Sequence, residues 1–273
     1  MTRPVGVAGC GRMGAPMLAA LIGAGIQARG LDLRPPSDYG ALAPVMTDDP
    51  VAFAAGLRTL LTVVRDEAET ERLLFGPAGL ARAPELETLV VCSTLSPRYV
   101  RGLRARVPDT VALVDAPMSG AEVAARERRL SFMLGGEDAV LDALTPLLSA
   151  MGRHVHRMGP FGAGMSAKVL NNLLAASHTA MTRLALDWAD AEGIDEARLL
   201  ALIHTSSGQN WLASGFDEIE FARDGYAGSN TIGILVKDVA AALDAAPPGA
   251  DPRLPLAVQA ALKALAPRRG RSR

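Results

Sequence analysis

The sequence predicts an α/β fold: an N-terminal Rossmann-like doubly wound sheet, followed by an all-α C-terminal domain joined to it by a long helix. Three observations predict it. A glycine fingerprint, Gly9-Cys10-Gly11-Arg12-Met13-Gly14, stands between an apolar run and an alanine- and leucine-rich helical stretch. Short apolar runs then alternate with helix-compatible segments through the first half of the chain. From Gly164 to Glu192 no proline occurs, and Gly193 closes that stretch in a C-cap position.

The chain has 273 residues, room for two ordinary domains. They are expected at 1–162, binding a dinucleotide, and at 163–273, helical, for substrate and dimerisation. With 28 basic and 29 acidic residues the net charge is −1, which gives no basic excess for nucleic acid. No apolar run reaches the ~20 residues of a bilayer span without charged or helix-breaking interruptions, so no membrane role is expected. Cys10 and Cys92 cannot make a disulfide framework, no CxxC spacing for zinc exists, and no signal peptide precedes the fingerprint. A cytoplasmic protein is expected. The basic run Arg268-Arg269-Gly270-Arg271-Ser272-Arg273 reads as a frayed, solvated terminus.

Taken in order, Pro4–Ala8 reads as a buried parallel strand and Ala15–Gly23 as the helix after the fingerprint. Gly9 permits the tight turn, Gly11 lets backbone approach a pyrophosphate, and Gly14 lets helix pack on strand, with the helix N-terminus facing the phosphates. The next strand, Ile26–Leu33, carries Asp32, 18 residues after Gly14, near the spacing at which an acid meets the adenosine ribose. That carboxylate favours NAD, whereas Arg34 could accept the 2′-phosphate of NADP; both could also be plain strand-end polar residues.

Further strands are expected at Thr59–Val64, Thr88–Val91, Thr110–Val114 and Leu130–Leu134. In a parallel sheet covered on both faces, ligands gather at the carboxyl ends, here Val64-Arg65-Asp66, Cys92-Ser93-Thr94-Leu95-Ser96-Pro97 and Asp115-Ala116-Pro117-Met118-Ser119-Gly120. Turn-making alone would also explain their Ser, Thr and Pro content. His154-Val155-His156 has strand spacing. With no accompanying cysteine or carboxylate cluster it reads as an exposed strand face, and no metal is assigned.

The long helix would span ~44 Å. Leu170, Leu173, Leu174, Ser177, Met181, Leu184 and Trp188 recur at helical spacing, and Val169, Ala176, Ala180 and Ala185 widen the apolar surface. Such a helix is expected to be buried on several sides, by later helices, the first domain or a second subunit. Helices are also expected at Glu196–His204, Ile232–Ala246 and Leu256–Leu265, with polar loops at Thr205–Trp211 and Gly225–Thr231. Near the start of the long helix, Lys168 and Asn172 share one face. Lys168 reads either as a solvated first-turn lysine or as a proton-transfer group placed at a nucleotide-binding edge.

With these residues in hand, the chain resembles the β-hydroxyacid dehydrogenase family, whose members include 3-hydroxyisobutyrate dehydrogenase, tartronate semialdehyde reductase and, more distantly, 6-phosphogluconate dehydrogenase. Five ordered motifs carry the resemblance over nearly the whole chain: Gly9–Gly14, Ser93–Pro97, Asp115–Ala121, the Gly-x-x-Gly-x-Gly-x-x-x-Lys-x-x-Asn-Asn pattern from Gly159 to Asn172, and Lys237-Asp238. It implies hydride transfer between a small 3-hydroxy acid and NAD, with NADP possible. Lys168 would be the catalytic lysine, and Ser119, Gly120, Asn172 and Lys237 would bind substrate. Gly9, Gly11, Arg12, Met13, Gly14, Asp32, Val64, Thr94 and Lys237 would bind cofactor.

The resemblance also implies a homodimer or homotetramer. The sequence departs from the family where Ala121 replaces a second glycine, where Arg65 replaces a common proline, and in lacking a glutamate near Leu184. Leu33 stands where NADP-preferring members tend to carry arginine, which supports NAD. An imine reductase of the same architecture and a non-catalytic dinucleotide-binding regulator are the alternatives, and Lys168 with Asn172 speaks against both.

Overall fold

The computed structural model describes residues 4–268. Contacts divide the chain into two compact units, Met1–Lys168 and Val169–Arg273. The first contains β1 (Val5–Ala8), α1 (Gly14–Gly23), β2 (Ala28–Leu31), β3 (Met46–Thr47), α2 (Pro50–Ala54), β4 (Thr59–Thr62), α3 (Glu67–Phe75), β5 (Thr88–Val91) and α4 (Pro97–Gly102). It continues through β6 (Ala112–Asp115), β7 (Met118–Ser119), α5 (Ala121–Arg126), β8 (Leu130–Gly135), α6 (Asp138–Met151) and β9 (Gly152–Gly159). Helix α7 (Ala163–Ala191) begins in this unit and continues in the second, which adds α8 (Glu196–His204), α9 (Trp211–Ser214), α10 (Thr231–Asp244) and α11 (Arg253–Lys263).

The strands run in the order β3-β2-β1-β4-β5-β6-β8-β7, with β9 also paired to β8. Pairing is parallel from β3 through β6. Successive side chains of a strand point to opposite faces, and the core divides by that parity. Leu61, Val90 and Val114 join a cluster with Met17, Leu21 and Leu148 of α1 and α6. Leu60, Leu89 and Leu113 join Phe53, Leu74 and Val100 on the other face. Both faces are therefore covered by helices, the condition under which strands read as unbroken apolar runs.

The sheet is mixed rather than wholly parallel, because β8 runs antiparallel to β6 and to β7. Here the chain leaves β6, forms the two-residue β7 and the six-residue α5, and returns through β8.

Side-chain caps start the helices where the sequence offers them. Asp66 accepts from the Glu69 N–H ahead of α3, Asp195 from Arg198 ahead of α8, and Asn230 from Gly233 ahead of α10. In the second unit, Ala176, Ala180 and Leu186 of α7 pack with Leu200, Ile232, Val239, Val258 and Leu262 of the later helices. Arg183, 1 % exposed, donates to the carbonyls of Ala222, Asp224 and Ala266.

Leu170, Leu174, Met181, Leu184 and Trp188 of α7 are exposed by 40–68 %, so of the expected burial one face of the long helix is left open in the single chain. One expectation is corrected. Arg268 is not a frayed cation: it is 9 % exposed and pairs with Asp187, Asp190 and Glu196, whose acids cluster around it. The rest of the basic terminal run lies outside the described residues. His154 and His156 are exposed on β9 with their rings stacked 6.3 Å apart. Among the described residues, no group of three or more His, Cys, Asp or Glu could hold a metal, and no helix is long and apolar enough to cross a membrane.

Candidate active site

Register brings the cofactor-side candidates to one edge. Ala8 pairs with Leu31 and Thr62, Thr62 with Val91, and Val91 with Asp115, so these strands end level. Beyond Ala8 the chain turns at Gly9, whose φ is +92° and where a Cβ would stand 2.6 Å from the Val63 carbonyl oxygen. A Cβ on Gly14 would lie 2.0 Å from the Gly9 carbonyl oxygen, so α1 can begin against the turn only without one. At Gly11 a Cβ would meet nothing within 4 Å, so the turn opens outward there.

Arg12 is exposed and Met13 half-buried. Met13 makes no side-chain cap, and no acidic residue lies in the first turn of α1. The Ala15 N–H already donates to the Gly11 carbonyl and Pro16 has none, so what the helix start offers an anion is chiefly its partial positive charge. An uncapped helix beside an open glycine turn fits a pyrophosphate.

Asp32 follows β2 directly. Its Oδ1 accepts from the backbone N–H of Arg34 at 3.2 Å and from the guanidinium Nε at 3.3 Å. Partial burial pushes this carboxyl up, but the bonds from Arg34 outweigh it and hold it below the usual carboxylate range. Arg34 also donates to the Cys10 carbonyl at 2.9 Å and lies 4.8 Å over the Tyr39 ring. The guanidinium that rivals Asp32 in the sequence is thus engaged by Asp32, by the glycine turn and by Tyr39. Leu33 is 97 % exposed.

At the next strand ends, the Val64 N–H donates to the Ser93 hydroxyl at 3.0 Å, tying the loop after β4 to the loop after β5. Thr94, half-buried, follows. Ser96 caps α4 and Pro97 opens it. Ser119 ends β7 paired with Ser131, and Gly120 beyond it has a φ of +133°. Ala121 has a φ of +51°, left-handed backbone at the very position where it stands in for glycine.

The glycine turn before α7 docks against this edge. Gly162 has a φ of +93°, and a Cβ on Gly164 would lie 2.3 Å from the Met133 carbonyl oxygen, so the helix starts pressed against β8. Asp115, the fully buried last residue of β6, accepts from the Gly162 N–H at 2.6 Å through one oxygen and from the Met165 N–H through the other. The Leu95 N–H meets the Met165 sulfur at 3.4 Å. Burial pushes the Asp115 carboxyl up to about 6 despite its backbone donors. Three residues beyond Met165 stands Lys168, 7 % exposed.

In the second unit, Asn172 and Lys237 meet at Asp238. Asn172 is 8 % exposed and donates its Nδ2 to Asp238 Oδ2 at 2.6 Å. Asn171 donates to Asn172 Oδ1 at 3.3 Å, and Lys237 Nζ lies 3.6 Å from Asp238 Oδ1.

A profile of the NAD binding domain of 6-phosphogluconate dehydrogenase matches residues 4–159. A second profile, NAD-binding of NADP-dependent 3-hydroxyisobutyrate dehydrogenase, matches residues 162–270. A 3-hydroxyisobutyrate dehydrogenase of Pseudomonas aeruginosa is 33 % identical over 245 residues, 86 % of this chain and 82 % of that protein. An NAD-dependent L-serine dehydrogenase of the same organism is 33 % identical over 248 residues, 87 % of this chain and 83 % of that one. The solved Mycobacterium tuberculosis 3-hydroxyisobutyrate dehydrogenase with L-serine superposes with a TM-score of 0.81 at 26 % identity, covering 95 % of this chain and 92 % of that one. The chain belongs to the β-hydroxyacid dehydrogenase family.

As a β-hydroxyacid dehydrogenase it is an NAD(P)-dependent oxidoreductase that moves a hydride between a small 3-hydroxy acid and a nicotinamide. Two buried acids near the candidate residues carry more than their sequence motifs disclose. Asp115 reads there as the opening of a loop, and Asp238 as one half of a Lys-Asp pair. The signal that could have found Asp115 is an acid ending an otherwise apolar strand, Ala112-Leu113-Val114-Asp115, where an unpartnered carboxylate would be costly. Asp238 lies on the buried side of α10 beside Leu235, Val236 and Val239, which poses the same question.

Proposed function

We propose that this β-hydroxyacid dehydrogenase oxidises a small 3-hydroxy acid with NAD, and that Lys168 takes the hydroxyl proton. The observation carrying the reading is a nearly buried lysine in the turn of α7 just beyond the one fastened to the carboxyl edge of the sheet. A solvated first-turn lysine would be exposed. Nicotinamide, once bound, takes or returns the hydride. Lys168 Nζ accepts the hydroxyl proton in oxidation and returns it to the alkoxide in reduction. Ser119 and the Gly120 backbone hold the carboxylate, and Lys237 adds positive charge for it. Asn172, oriented through its bond to Asp238, uses its remaining hydrogen-bonding capacity on the substrate hydroxyl or carboxylate.

Gly9, Gly11, Arg12, Met13 and Gly14 receive the pyrophosphate, Asp32 the ribose hydroxyls, and Val64 and Thr94 the nicotinamide side, with Lys237 a further cofactor contact by the family resemblance. Asp32, ionised and held by Arg34, favours NAD over NADP, since a carboxylate repels a 2′-phosphate. The relatives named for 3-hydroxyisobutyrate and L-serine suggest substrates of that size, each presenting a carboxylate and a hydroxyl on the β-carbon.

The test is Lys168→Ala, assayed by reduced-nicotinamide absorbance with a panel of 3-hydroxy acids. Turnover is expected to fall at least ~10²-fold while NAD binding persists. Near-full turnover would refute the role. The chain is further proposed to be a cytoplasmic homodimer or homotetramer, with the dinucleotide-binding part at 1–162 and the substrate and dimerisation part at 163–273. Leu170, Leu174, Met181 and Trp188 recur along one stripe of α7 and stand 60–68 % exposed, a surface of the kind that subunits bury. A monomer mass in light scattering would overturn the oligomer.

A further inference from the structure

We propose that Asp115 is the positioning residue of this site: its buried carboxylate latches the first turn of α7 to the end of β6 and thereby sets where Lys168 stands. The proposal rests on the reading of Lys168 as the proton acceptor. Asp115 touches neither substrate nor cofactor in this reading; it acts through the helix.

The geometry is that of a two-point latch. One oxygen takes the N–H of Gly162, the residue before α7, and the other takes the N–H of Met165 inside the first turn. These are N–H groups that a helix start leaves without an intrahelical partner, and capping usually comes from the adjacent chain. Here the acceptor is 47 residues earlier in sequence than Gly162, on a strand in the middle of the sheet. The bond therefore fixes the helix against the sheet as well as closing its end.

Four neighbours reinforce the latch. Gly164 lets α7 press on the β8 backbone, and a Cβ at Gly135 would lie 2.2 Å from Asp115 Oδ1, so glycine there leaves the carboxylate its space. The Leu95 N–H meets the Met165 sulfur, tying the same turn to the loop after β5. Arg101 of α4 is the charged group facing the carboxylate, and its guanidinium donates to the Ser166 hydroxyl in that turn.

From Met165 to Lys168 is about 4.5 Å along the helix axis. Displacing the turn displaces the ammonium by a similar amount, and misplacements of ~1 Å can cost on the order of 10²-fold in rate. The carboxylate also lies at the positive end of α7, so it favours the protonated form of a lysine two turns in. A residue needed only for folding would do neither.

The experiment compares Asp115→Asn, which keeps one acceptor oxygen, Asp115→Ala, which keeps none, and Lys168→Ala. Each is checked for fold by circular dichroism and for NADH binding by fluorescence, then assayed for kcat and KM across pH. Expected for Asp115→Asn is kcat lowered about 10-fold, with Asp115→Ala lowered further towards ~10²-fold. NADH affinity and the hydroxy-acid KM should stay within about threefold. The rising alkaline limb of the oxidation rate should move to lower pH in both variants, because a negative charge that stabilised the lysine ammonium is gone.

Folded Asp115→Asn and Asp115→Ala with kcat within about twofold of wild type and an unmoved limb would overturn the proposal. If both fail to fold, Asp115→Glu decides, since it keeps the carboxylate but displaces it: NADH binding with lowered kcat supports the latch, and wild-type kcat overturns it. Lys168→Ala separates the two ideas. Turnover retained there sinks the reading of Lys168, whereas turnover lost there with unaffected Asp115 variants sinks the latch alone.

Discussion

Asp115 should make the stability of this protein depend on pH in the direction opposite to most carboxylates. Burial raises its pKa from the ordinary carboxylate range to about 6. The folded state therefore binds this proton more tightly than the unfolded state, and the stability it confers is present at low pH and lost as pH rises through about 6. At 1.36 kcal/mol per pH unit the full shift is worth about 3 kcal/mol, of which roughly 2 kcal/mol falls between about pH 4.5 and pH 7. The carboxylate is fully buried, so solvent screening does not remove this contribution.

The perturbation is Asp115→Asn, which removes the titrating group while its other carboxylates remain. Urea unfolding of both proteins across that range gives the stability of wild type minus that of the variant. This difference should fall by about 2 kcal/mol between about pH 4.5 and pH 7, whatever its value at either end. A difference that is flat, or that rises with pH, would refute the argument that burial outweighs the two backbone donors. The site would thus hold a charge that costs stability at neutral pH, the pattern expected where position matters more than folding.

Two further outcomes follow from Asp32 and from Ala121. Asp32→Ser removes a carboxylate repulsion on the order of 2 kcal/mol against a 2′-phosphate and releases Arg34 to accept it, so the NADP:NAD ratio of kcat/KM should rise ~10- to 10²-fold. An unchanged ratio would show that Asp32 does not face the ribose. Ala121→Gly relieves left-handed backbone worth ~1–2 kcal/mol and gives back part of it as unfolded-chain entropy, for a net gain of about 0.5–1 kcal/mol in thermal or urea unfolding. A loss of stability there would contradict the strain at φ +51°.

Much of the fold is legible before any coordinates. Thr88–Val91 and Glu196–His204 occur with the bounds their patterns predict, because strand and helix periodicity are local properties. The fingerprint glycines carry their reasons with them, since close backbone approach at Gly14 and a positive φ at Gly9 exclude a Cβ wherever the rest of the chain lies. The reversal of β8 is less legible. Its run of apolar residues is the same whether it pairs parallel or antiparallel, and direction depends on how a six-residue helix returns the chain. The basic end misled for a related reason: charge alone predicts solvation, whereas Arg268 found three acids from α7 and α8.

By itself the sequence determined the alternation of strands and helices and the glycine turn between β1 and α1, which follow from residue type and spacing. Lys168, Asn172 and Lys237 stand out in it as candidates whose roles the family resemblance implies. Tertiary structure decided what the buried acids meet. Asp115 meets Gly162 and Met165, and Asp238 meets Asn172 across 66 residues, pairings that no local pattern announces. The physical reason is that a carboxylate inside a protein must find its donors in space, and only the packed chain brings a strand end to the first turn of a helix far along the sequence.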